Sequence, residues 1–257
     1  MSGPIDPIRD YFDTEARGYI QERYDGDSCD QLAYQTRRRL ALEMLGAGHG
    51  RLLDIGSGPG VLTTELRLRG YRVYALDVSI EMLREIRCRQ TGSESDPHFI
   101  QARLPELPFP VGSFDAAMAI GVLAYLDDPL GGLGEIRRVL RTGGVAILQA
   151  SNAACPTSRL HSVLRRWYRR SAQLVGGPAY PHLAFPLKQF RLAALRASLR
   201  SASLQVESMA FYDFRPPLLQ WIAPRAAVAV ARGLQRFERS NRIRLLAEGM
   251  LLKVRAC

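Results

Sequence analysis

The stretch RLLDIGSGPG, residues 51–60, decides the fold of this chain. It begins with a short apolar run of Leu52, Leu53 and Ile55, and it ends with three glycines at alternate positions. A continuous apolar run that stops at glycines is typical of a buried parallel strand that enters a tight turn. Residues 61–69, after the turn, are expected to form a helix whose N-terminus carries free N–H groups. The stretch therefore predicts a strand, a tight loop and a helix.

Strand and helix signals alternate on both sides of this stretch. Further strands are predicted, from their apolar runs, at 71–77, 98–100, 114–122, 145–150, 204–213 and 249–256. Helices are predicted at 31–45, 79–90, 129–141 and 187–200. Such alternation indicates βαβ units, and so an α/β fold with a doubly wound, mainly parallel, seven-stranded, Rossmann-like sheet. Ligands of such sheets bind beyond the carboxyl ends of the strands, near the first strand.

Four segments are expected along the chain. Residues 1–47 mix Pro, Asp, Tyr and Gly before a helical pattern, and they are predicted to form a helical arm or lid. Residues 48–150 form the predicted ligand-binding core. Residues 151–186 break the strand rhythm with glycines and prolines around a basic aromatic helix, and are interpreted as a cap inserted over the cleft. Residues 187–257 return to the core and carry amphipathic helices.

The charge of the chain is divided unevenly. Residues 151–257 contain 18 Lys and Arg against four acidic residues, residues 1–150 contain 17 against 21, and the net charge is +10. This asymmetry indicates an anionic partner, which could be lipid headgroups, nucleic acid, or a phosphorylated or carboxylated substrate. A basic surface that is merely solvated is an equally open alternative.

Composition excludes several classes of protein. The 257 residues are 47% hydrophobic, which is enough for a sizeable core and speaks against disorder. No apolar run reaches the roughly 18–20 residues that span a bilayer, and the polar N-terminus does not resemble a secretory signal. The four cysteines are scattered, so the sequence predicts neither a disulfide framework nor a metal site. A cytoplasmic protein is expected.

Two acidic residues flank the glycine loop. Asp54 precedes it at the end of the first predicted strand, and Asp77 ends the second, 21 residues after Gly56. A carboxylate at the second position can accept hydrogen bonds from ribose hydroxyls, as in dinucleotide sites. The dinucleotide pattern GxGxxG would need a glycine at position 61, but Val61 is there. Because an acid before the loop repels a pyrophosphate and suits a positively charged ligand, the sequence favours a cationic nucleoside over NAD.

Four motifs occur in a characteristic order and spacing. They are LLDIGSGPG (52–60), ALDVSIEML (75–83), LPELPFPVGSFDAAMAIGVLAYLDD (104–128) and EIRRVLRTGGVAILQA (135–150). Together they resemble the class I S-adenosylmethionine-dependent methyltransferases over roughly residues 50–150, and more loosely through the final strand. The resemblance implies a methyltransferase whose cofactor is S-adenosylmethionine.

The resemblance also implies which residues hold that cofactor. Its methionine part would be held by the loop residues Asp54, Gly56, Ser57, Gly58 and Gly60. The remaining contacts would be Asp77 with the ribose, Val78 and Met82 with the adenine, and Ile120 and Gly121 below the sulfonium. Plainer roles stay open, since Met82 and Ile120 could be core residues and Asp77 could cap a helix.

Arg103 departs from the family pattern. Relatives commonly have an acid at this position, four residues before the LPF at 107–109, where it would hydrogen-bond the adenine amino group. Arginine is a donor only and cannot accept that hydrogen bond. Either the backbone from Ala102 to Leu104 takes over the contact, or Arg103 points at an anionic group of the substrate.

No motif in the sequence identifies a catalytic base. Methyl transfer from a sulfonium is an in-line displacement, and it needs a base only if the acceptor atom starts protonated. His161 and His182 in the predicted cap are weak candidates, as is Tyr125 after the fourth predicted strand. Tyr125, His182 and Tyr19 of the arm are also candidate substrate contacts. Each could instead be an ordinary surface or packing residue.

Two segments carry arginines on one side and apolar residues on the other. Residues 159–170 set five arginines against Leu160, Val163, Leu164, Trp167 and Tyr168. Residues 222–239 set Arg225, Arg232, Arg236 and Arg239 against Ala223, Ala227, Val230, Leu234 and Phe237. The apolar sides could pack on the domain, make a peripheral membrane contact, or hold an anionic or lipid-linked substrate. Nucleic acid is the least favoured partner, because no stacking platform is recognisable.

The sequence as a whole predicts a cytoplasmic methyltransferase, able to associate with a membrane, that acts on a small-molecule or lipid-like acceptor. Oxygen ranks first as the methylated atom, then nitrogen, then carbon. Two alternatives stay open. One is a protein of the same fold that only binds the cofactor or activates a partner, and the other is an RNA methyltransferase.

Overall fold

The computed structural model describes residues 6–89, 97–175, 187–216 and 219–257. Its strands are β1 Arg51–Ile55, β2 Arg72–Asp77, β3 His98–Gln101, β4 Phe114–Ala119, β5 Leu140–Ser151, β6 Leu204–Phe214 and β7 Ala247–Ala256. Its helices are α1 Pro7–Glu15, α2 Tyr19–Tyr24, α3 Cys29–Leu45, α4 Thr63–Leu68, α5 Ile80–Arg89, α6 Pro129–Val139, α7 Pro156–Val175, α8 Leu192–Ser201, α9 Leu219–Ile222 and α10 Pro224–Leu234.

All of these strands belong to one sheet, in the order β3-β2-β1-β4-β5-β7-β6. The pairings from β3 to β5 are parallel, whereas β7 runs antiparallel between β5 and β6. The predicted α/β fold, doubly wound and mainly parallel with seven strands, is confirmed. The carboxyl ends of β1, β2, β4, β5 and β6 and the start of β7 share one edge of the sheet, which we name the carboxyl edge.

β1 is buried on both faces, as its apolar run predicts. Leu52 and Leu53 point to opposite sides, because side chains alternate along a strand. Leu53 belongs to a cluster with residues of α6 and α8, and Leu52 belongs to a second cluster with residues of α3 and α4. Neither leucine has exposed surface. Helices on both faces of the sheet thus hold β1, and with it the start of the glycine loop, in a rigid frame.

α3 begins two residues earlier than its apolar pattern predicts. The Ser28 hydroxyl accepts a hydrogen bond from the Gln31 N–H at 3.2 Å, and the Gln31 side chain accepts one from the Ser28 N–H at 3.1 Å. This capping box satisfies N–H groups at the helix start. Asp128 caps α6 by accepting hydrogen bonds from the N–H groups of Leu130 and Gly131.

The helix predicted at 187–200 begins only at Leu192. The chain before it is extended, because Phe190 lies beside the end of β5 and its N–H donates to the Ser151 carbonyl at 2.8 Å. A parallel bridge between Phe190 and Asn152 continues this contact. The residues before Leu192, which were predicted to be helical, therefore pair with the segment that leads from β5 into α7.

The helix predicted at 222–239 is also shorter, since α10 ends at Leu234 and a 3₁₀ turn follows at Gln235–Phe237. The tighter turn ends the α-helical period on which the arrangement predicted for residues 222–239 depends. α10 buries Ala227, Val228 and Ala231. Val230 and Phe237, predicted on the same apolar side as Ala227, are 45% and 51% exposed. α10 therefore packs on the domain through small residues.

The predicted cap begins with α7, a helix of 20 residues. Residues 176–186, which include His182, lie outside the described residues. Over the ranges that the structure describes, we find no helix that is both long and apolar enough to cross a bilayer.

Leu53→Ala is expected to lower the free energy of unfolding by about 2–5 kcal/mol, because it leaves a cavity between β1 and its covering helices. The matched control is Leu68→Ala at the end of α4. That leucine is 83% exposed, and its replacement should change stability by at most about 0.5 kcal/mol. Urea denaturation followed by circular dichroism measures both. Equal effects of the two substitutions would contradict the place given to Leu53 in the core.

Candidate functional site

A cavity of about 420 Å³ runs along the carboxyl edge of the sheet. Its wall includes Asp77 at the end of β2, Gly56 after β1, Gly121 after β4 and Arg215 after β6. The helices around it contribute Phe12, Tyr19, Tyr34 and Arg37 from the arm, and Ser158, His161, Ser162 and Arg166 from α7. A second cavity of about 40 Å³ surrounds part of the glycine loop and shares Tyr19, Arg37, Gly56, Gly58 and Ile120 with the first. We name the larger cavity the chamber.

The glycine loop presents backbone to the chamber. Gly56 and Gly58 have φ values of 67° and 53°, a left-handed conformation that residues with a Cβ rarely adopt. A Cβ on Gly58 would meet nothing within 4 Å, so the loop is open on that side. The hydroxyl of Ser57 is buried and has no hydrogen-bond partner among the described residues. The loop can therefore take a polar ligand against its backbone.

Asp77 is held in the chamber wall by two backbone N–H groups. One carboxylate oxygen accepts from Gly58 at 2.8 Å, and the other accepts from Ser79 at 2.9 Å. Each oxygen keeps a further lone pair for a ligand hydroxyl. Burial raises the pKa of Asp77 to about 6, and these hydrogen bonds oppose the rise. The Ser79 hydroxyl accepts from the Met82 N–H at 3.1 Å, so the first turn of α5 has a cap of its own.

Asp54 lies in the wall of the smaller cavity. It is 2% exposed, and one oxygen accepts from the Thr63 hydroxyl at 2.9 Å. Burial raises the pKa of Asp54 to about 7, and the nearby charge of Asp77 adds to the rise. A cationic group beside the loop would stabilise the ionised form of both acids.

Arg37 of α3 lines both cavities, although no motif in the sequence predicts it as a site residue. Its guanidinium lies 4.4 Å from the centroid of the Tyr34 ring, and its Nη1 is 3.5 Å from where a Cβ on Gly121 would stand. Among the described residues its neighbours are phenols, no carboxylate pairs with it, and its Nε is buried without a partner. Three consecutive arginines, 37–39, are typical of a solvated helix face, and only the packing of α3 turns the first one inward.

One part of the chamber holds a histidine paired with a carboxylate. His161 Nδ1 lies 3.2 Å from an oxygen of Glu248 at the start of β7. Burial alone would raise the pKa of Glu248, but the hydrogen bond with His161 and the charge of Arg215 outweigh it and lower that pKa below its usual value. Glu248 is therefore ionised at neutral pH and can orient the imidazole, whose other nitrogen can then accept a proton.

An ion pair at the end of β6, which no motif in the sequence predicts, forms another part of the chamber wall. Arg215 Nη2 donates to Asp213 at 3.0 Å, and its Nη1 lies 2.6 Å from Asp30 of α3. Asp213 has a φ of 64°, which is uncommon for a residue with a Cβ. Nothing in the local sequence FYDFRPP marks these residues, because their position depends on where β6 ends.

Most residues predicted to hold the cofactor line the chamber. They are Gly56, Gly58, Asp77, Val78, Met82, Ala102, Arg103, Leu104, Ile120 and Gly121, joined by the predicted substrate contacts Tyr19 and Tyr125. Ser57, like Asp54, lines only the smaller cavity. Gly60 lines neither cavity, and a Cβ there would lie 2.8 Å from Ile86, so this glycine lets the loop pack on α5. Within the described ranges, no three His, Cys, Asp or Glu residues are placed to hold a metal ion.

Arg103 joins the core to the N-terminal arm. Its Nη1 donates to a carboxylate oxygen of Asp6 at 3.0 Å, and Asp6 also caps α1. The arm is held a second time by the Ser79 hydroxyl, which donates to Asp13 at 2.5 Å. The anion that Arg103 meets in this structure is thus a carboxylate of the chain itself.

Comparison with known proteins agrees with this geometry. The family model described as a methyltransferase domain matches residues 53–148. A malonyl-acyl-carrier-protein O-methyltransferase of Serratia marcescens is 32% identical over 165 residues, which are 63% of this chain and 60% of that protein. A demethylmenaquinone methyltransferase of Mycobacterium sp. (strain KMS) is 32% identical over 168 residues, which are 64% of this chain and 67% of that protein. The chain thus spans less than two thirds of the malonyl relative.

A solved structure shows the same fold over the whole length. It is magnesium protoporphyrin IX methyltransferase from Synechocystis PCC 6803 with bound S-adenosylhomocysteine, which matches with a TM-score of 0.63 at 15% identity and covers 97% of this chain and 98% of that one. The family resemblance seen in the four sequence motifs is confirmed by these matches. The chain belongs to the class I methyltransferases, whose cofactor is S-adenosylmethionine.

Proposed function

We propose that this protein transfers the methyl group of S-adenosylmethionine to an oxygen atom of a small, lipid-like acceptor. The observation that carries the proposal is the continuity of the chamber, which joins the glycine loop to the His161–Glu248 pair. Its volume of about 420 Å³ suits small ligands. One relative is named as an O-methyltransferase, which supports oxygen as the methylated atom. The other is named as a demethylmenaquinone methyltransferase, which supports a lipid-like acceptor.

The chain offers a fitting group for each part of the cofactor. Asp77 would accept hydrogen bonds from the ribose hydroxyls, and the open backbone at Gly56 and Gly58 would lie against the methionine part. The adenine and sulfonium would be flanked by Val78, Met82, the backbone from 102 to 104, Ile120 and Gly121. When bound, the cofactor supplies an activated methyl group, so the protein itself provides alignment, charge and exclusion of water.

Arg37 is proposed to receive the carboxylate of the cofactor's methionine. It lies beside Gly121 and lines both cavities, and tyrosines surround it in place of a counter-ion. A desolvated guanidinium without a counter-ion is costly, and a ligand carboxylate would remove that cost. Asp54 lines the same small cavity, where it would complement the ammonium group of the methionine.

His161 is proposed as the base. Its free nitrogen would accept the proton of the acceptor hydroxyl while the new oxygen–carbon bond forms, and Glu248 would stabilise the resulting imidazolium. Tyr19 and Tyr125 line the same chamber and are proposed to contact the acceptor. Phe12 supports Tyr125 from the arm in an edge-on contact with ring centroids 5.5 Å apart.

The proposed activity is tested by the release of S-adenosylhomocysteine from purified protein, cofactor and candidate acceptors. Malonyl-acyl-carrier protein and demethylmenaquinone are the first acceptors to try, followed by isoprenoid phenols. Mass spectrometry of the product identifies the methylated atom. Tight binding of the cofactor without turnover of any acceptor would instead favour a cofactor-binding protein that has no catalytic role.

Asp77→Asn is expected to weaken the binding of S-adenosylhomocysteine about 10- to 100-fold, because an amide accepts fewer hydrogen bonds from the ribose and carries no charge. In the wild type, affinity should fall as the pH drops below about 6, since protonation of Asp77 removes its charge. The variant should lose the part of this pH dependence that Asp77 contributes, and keep the part that comes from Asp54, whose pKa is about 7. Isothermal titration calorimetry measures both effects.

The matched control for Asp77→Asn is Glu207→Gln, an exposed carboxylate of β6 that pairs with Arg255 outside the chamber. It should leave the affinity and its pH dependence unchanged. Unaltered affinity in Asp77→Asn would refute the ribose assignment.

Arg37→Met is expected to weaken the binding of S-adenosylhomocysteine by at least about tenfold, because it removes a charge-assisted contact. Its free energy of unfolding should be unchanged or higher, since a cation without a counter-ion is lost from the cavity wall. Arg39→Met on the same helix is the control. Arg39 pairs with Glu43 and Glu238, and its loss should not alter affinity. If Arg37→Met destabilised the fold and left affinity intact, Arg37 would be a structural residue.

His161→Gln is expected to lower the turnover rate by about 100-fold or more, with cofactor affinity preserved, because the proton acceptor is lost. Glu248→Gln should lower the rate less, because it only orients the imidazole. His98→Gln is the control. His98 of β3 stacks on Tyr74 of β2, with ring centroids 4.4 Å apart, and it does not line the chamber. A wild-type rate in His161→Gln would rule out its role as the base.

A further inference from the structure

α7 turns its polar side toward the chamber. Ser158, His161, Ser162 and Arg166 line the cavity wall, and Ser158 is only 3% exposed. These positions are three or four residues apart or adjacent, so they share one side of the helix. The contact of His161 with Glu248 and a hydrogen bond from Gln189 to the Ser158 carbonyl at 2.8 Å attach this side to the domain. Polar contacts therefore fix the orientation of α7.

The apolar side of α7 consequently faces solvent. Its exposed large side chains, which we name the α7 stripe, are Leu160 at 51%, Val163 at 58%, Leu164 at 53% and Trp167 at 69%. At about 100° per residue these four positions fall within an arc of about 100°, opposite the residues that line the chamber. Surface helices normally turn such a side inward. The alternative in which this side packs on the domain does not hold for these four residues of α7, although it holds for the small residues of α10.

The charged residues of α7 are all basic. Five arginines and no acidic residue occur between positions 156 and 175. Arg159 and Arg170 come next to the α7 stripe by helical position, and both are exposed. Exposed leucine, valine and tryptophan flanked by arginines are the features with which a peripheral helix enters the interface of an anionic bilayer.

We propose that the α7 stripe docks this protein on the surface of a bilayer that contains anionic lipids. The apolar side chains would enter the interface, with the helix parallel to the surface, and the arginines would meet lipid phosphates. An acidic protein partner would be complemented by the arginines alone, whereas four exposed apolar side chains on a convex helix need the apolar volume that a bilayer supplies. The α7 stripe therefore fits a bilayer better than an acidic carrier protein.

Docking through α7 would also place the chamber next to the bilayer. The helix that carries the stripe on its outer side forms the chamber wall with its inner side. A lipid-like acceptor would then need to move only around one helix to reach His161. This part of the inference rests on the proposed function, whereas the docking itself does not.

Co-sedimentation of the full chain with vesicles tests the docking. The wild type is expected to sediment with vesicles of phosphatidylcholine and phosphatidylglycerol, and far less with phosphatidylcholine alone. Raising the salt from about 0.1 M to about 0.5 M should weaken binding, because the arginine contribution is screened. A wild type that does not sediment with either vesicle, or that binds both equally, would overturn the proposal.

The variant Val163→Asp/Trp167→Asp is expected to bind the anionic vesicles about tenfold more weakly or worse, since it puts charge into the buried part of the interface. The matched control is Leu68→Asp/Val111→Asp. These residues are 83% and 73% exposed, lie outside α7, and should not affect vesicle binding. Equal loss in both variants would contradict a specific role of the α7 stripe. Because all four side chains are exposed, the fold should survive each change, which circular dichroism checks.

Fluorescence locates the contact. The chain has two tryptophans, and Trp221→Phe leaves Trp167 as the reporter. Its emission should shift to shorter wavelength with anionic vesicles, and lipids with brominated chains should quench it. An unshifted emission in vesicle-bound protein would show that another surface binds.

Calorimetry with S-adenosylhomocysteine on the same samples separates the two proposals. Cofactor binding without vesicle binding would overturn the docking and leave the proposed function standing. Vesicle binding without cofactor binding would do the reverse. If acyl carrier protein binds, vesicles do not, and Val163→Asp/Trp167→Asp abolishes the interaction, the occupant of the α7 stripe is a protein and the proposal fails.

Discussion

The burial of two carboxylates at the ends of neighbouring strands is the constraint on which the site depends. Asp54 lies near the carboxyl end of β1 and Asp77 at that of β2, and burial raises their pKa values to about 7 and about 6. Because these values lie above the usual ones, the stability that each acid contributes is present below about pH 4 and is lost as the pH rises through 6 and 7. At neutral pH the protein without ligand therefore holds charge that a cationic ligand would stabilise. A pyrophosphate would only increase this cost.

The other charged and titratable groups in the chamber wall come from distant parts of the chain. Arg37 comes from the arm, His161 from α7, and Glu248 and Arg215 from the last third of the chain. Among the described residues, Glu248 pairs with His161 and Arg215 pairs with Asp213, while Arg37 meets only phenols. In a desolvated wall, an unpaired charge is the group most affected by a charged ligand. The distribution of paired and unpaired charges is thus what distinguishes binding groups from supporting ones.

The antiparallel course of β7 makes this arrangement possible. Since β7 runs opposite to β5 and β6, its first residues lie at the carboxyl edge, and Glu248 is brought into the chamber. A parallel β7 would place Glu248 at the opposite edge of the sheet. The contact of Glu248 with α7 in turn decides which side of that helix faces solvent. The exposed α7 stripe is therefore a consequence of satisfying polar groups inside the chamber.

The sequence by itself determined the strands, their order along the chain and the ends of β1 and β2, because apolar runs, glycines and terminal acids are local signals. It also located most of the residues around the glycine loop, since these follow β1 and β2 directly. Three features depended on the tertiary structure: the inward turn of Arg37, the pairing of His161 with Glu248, and the solvent-facing side of α7. Each joins segments far apart in the chain. The periodicity of one helix shows only that the helix has a polar and an apolar side, and it does not show which side packs on the protein. Packing on the sheet for α3 and polar contacts for α7 decided which of those sides faced the protein.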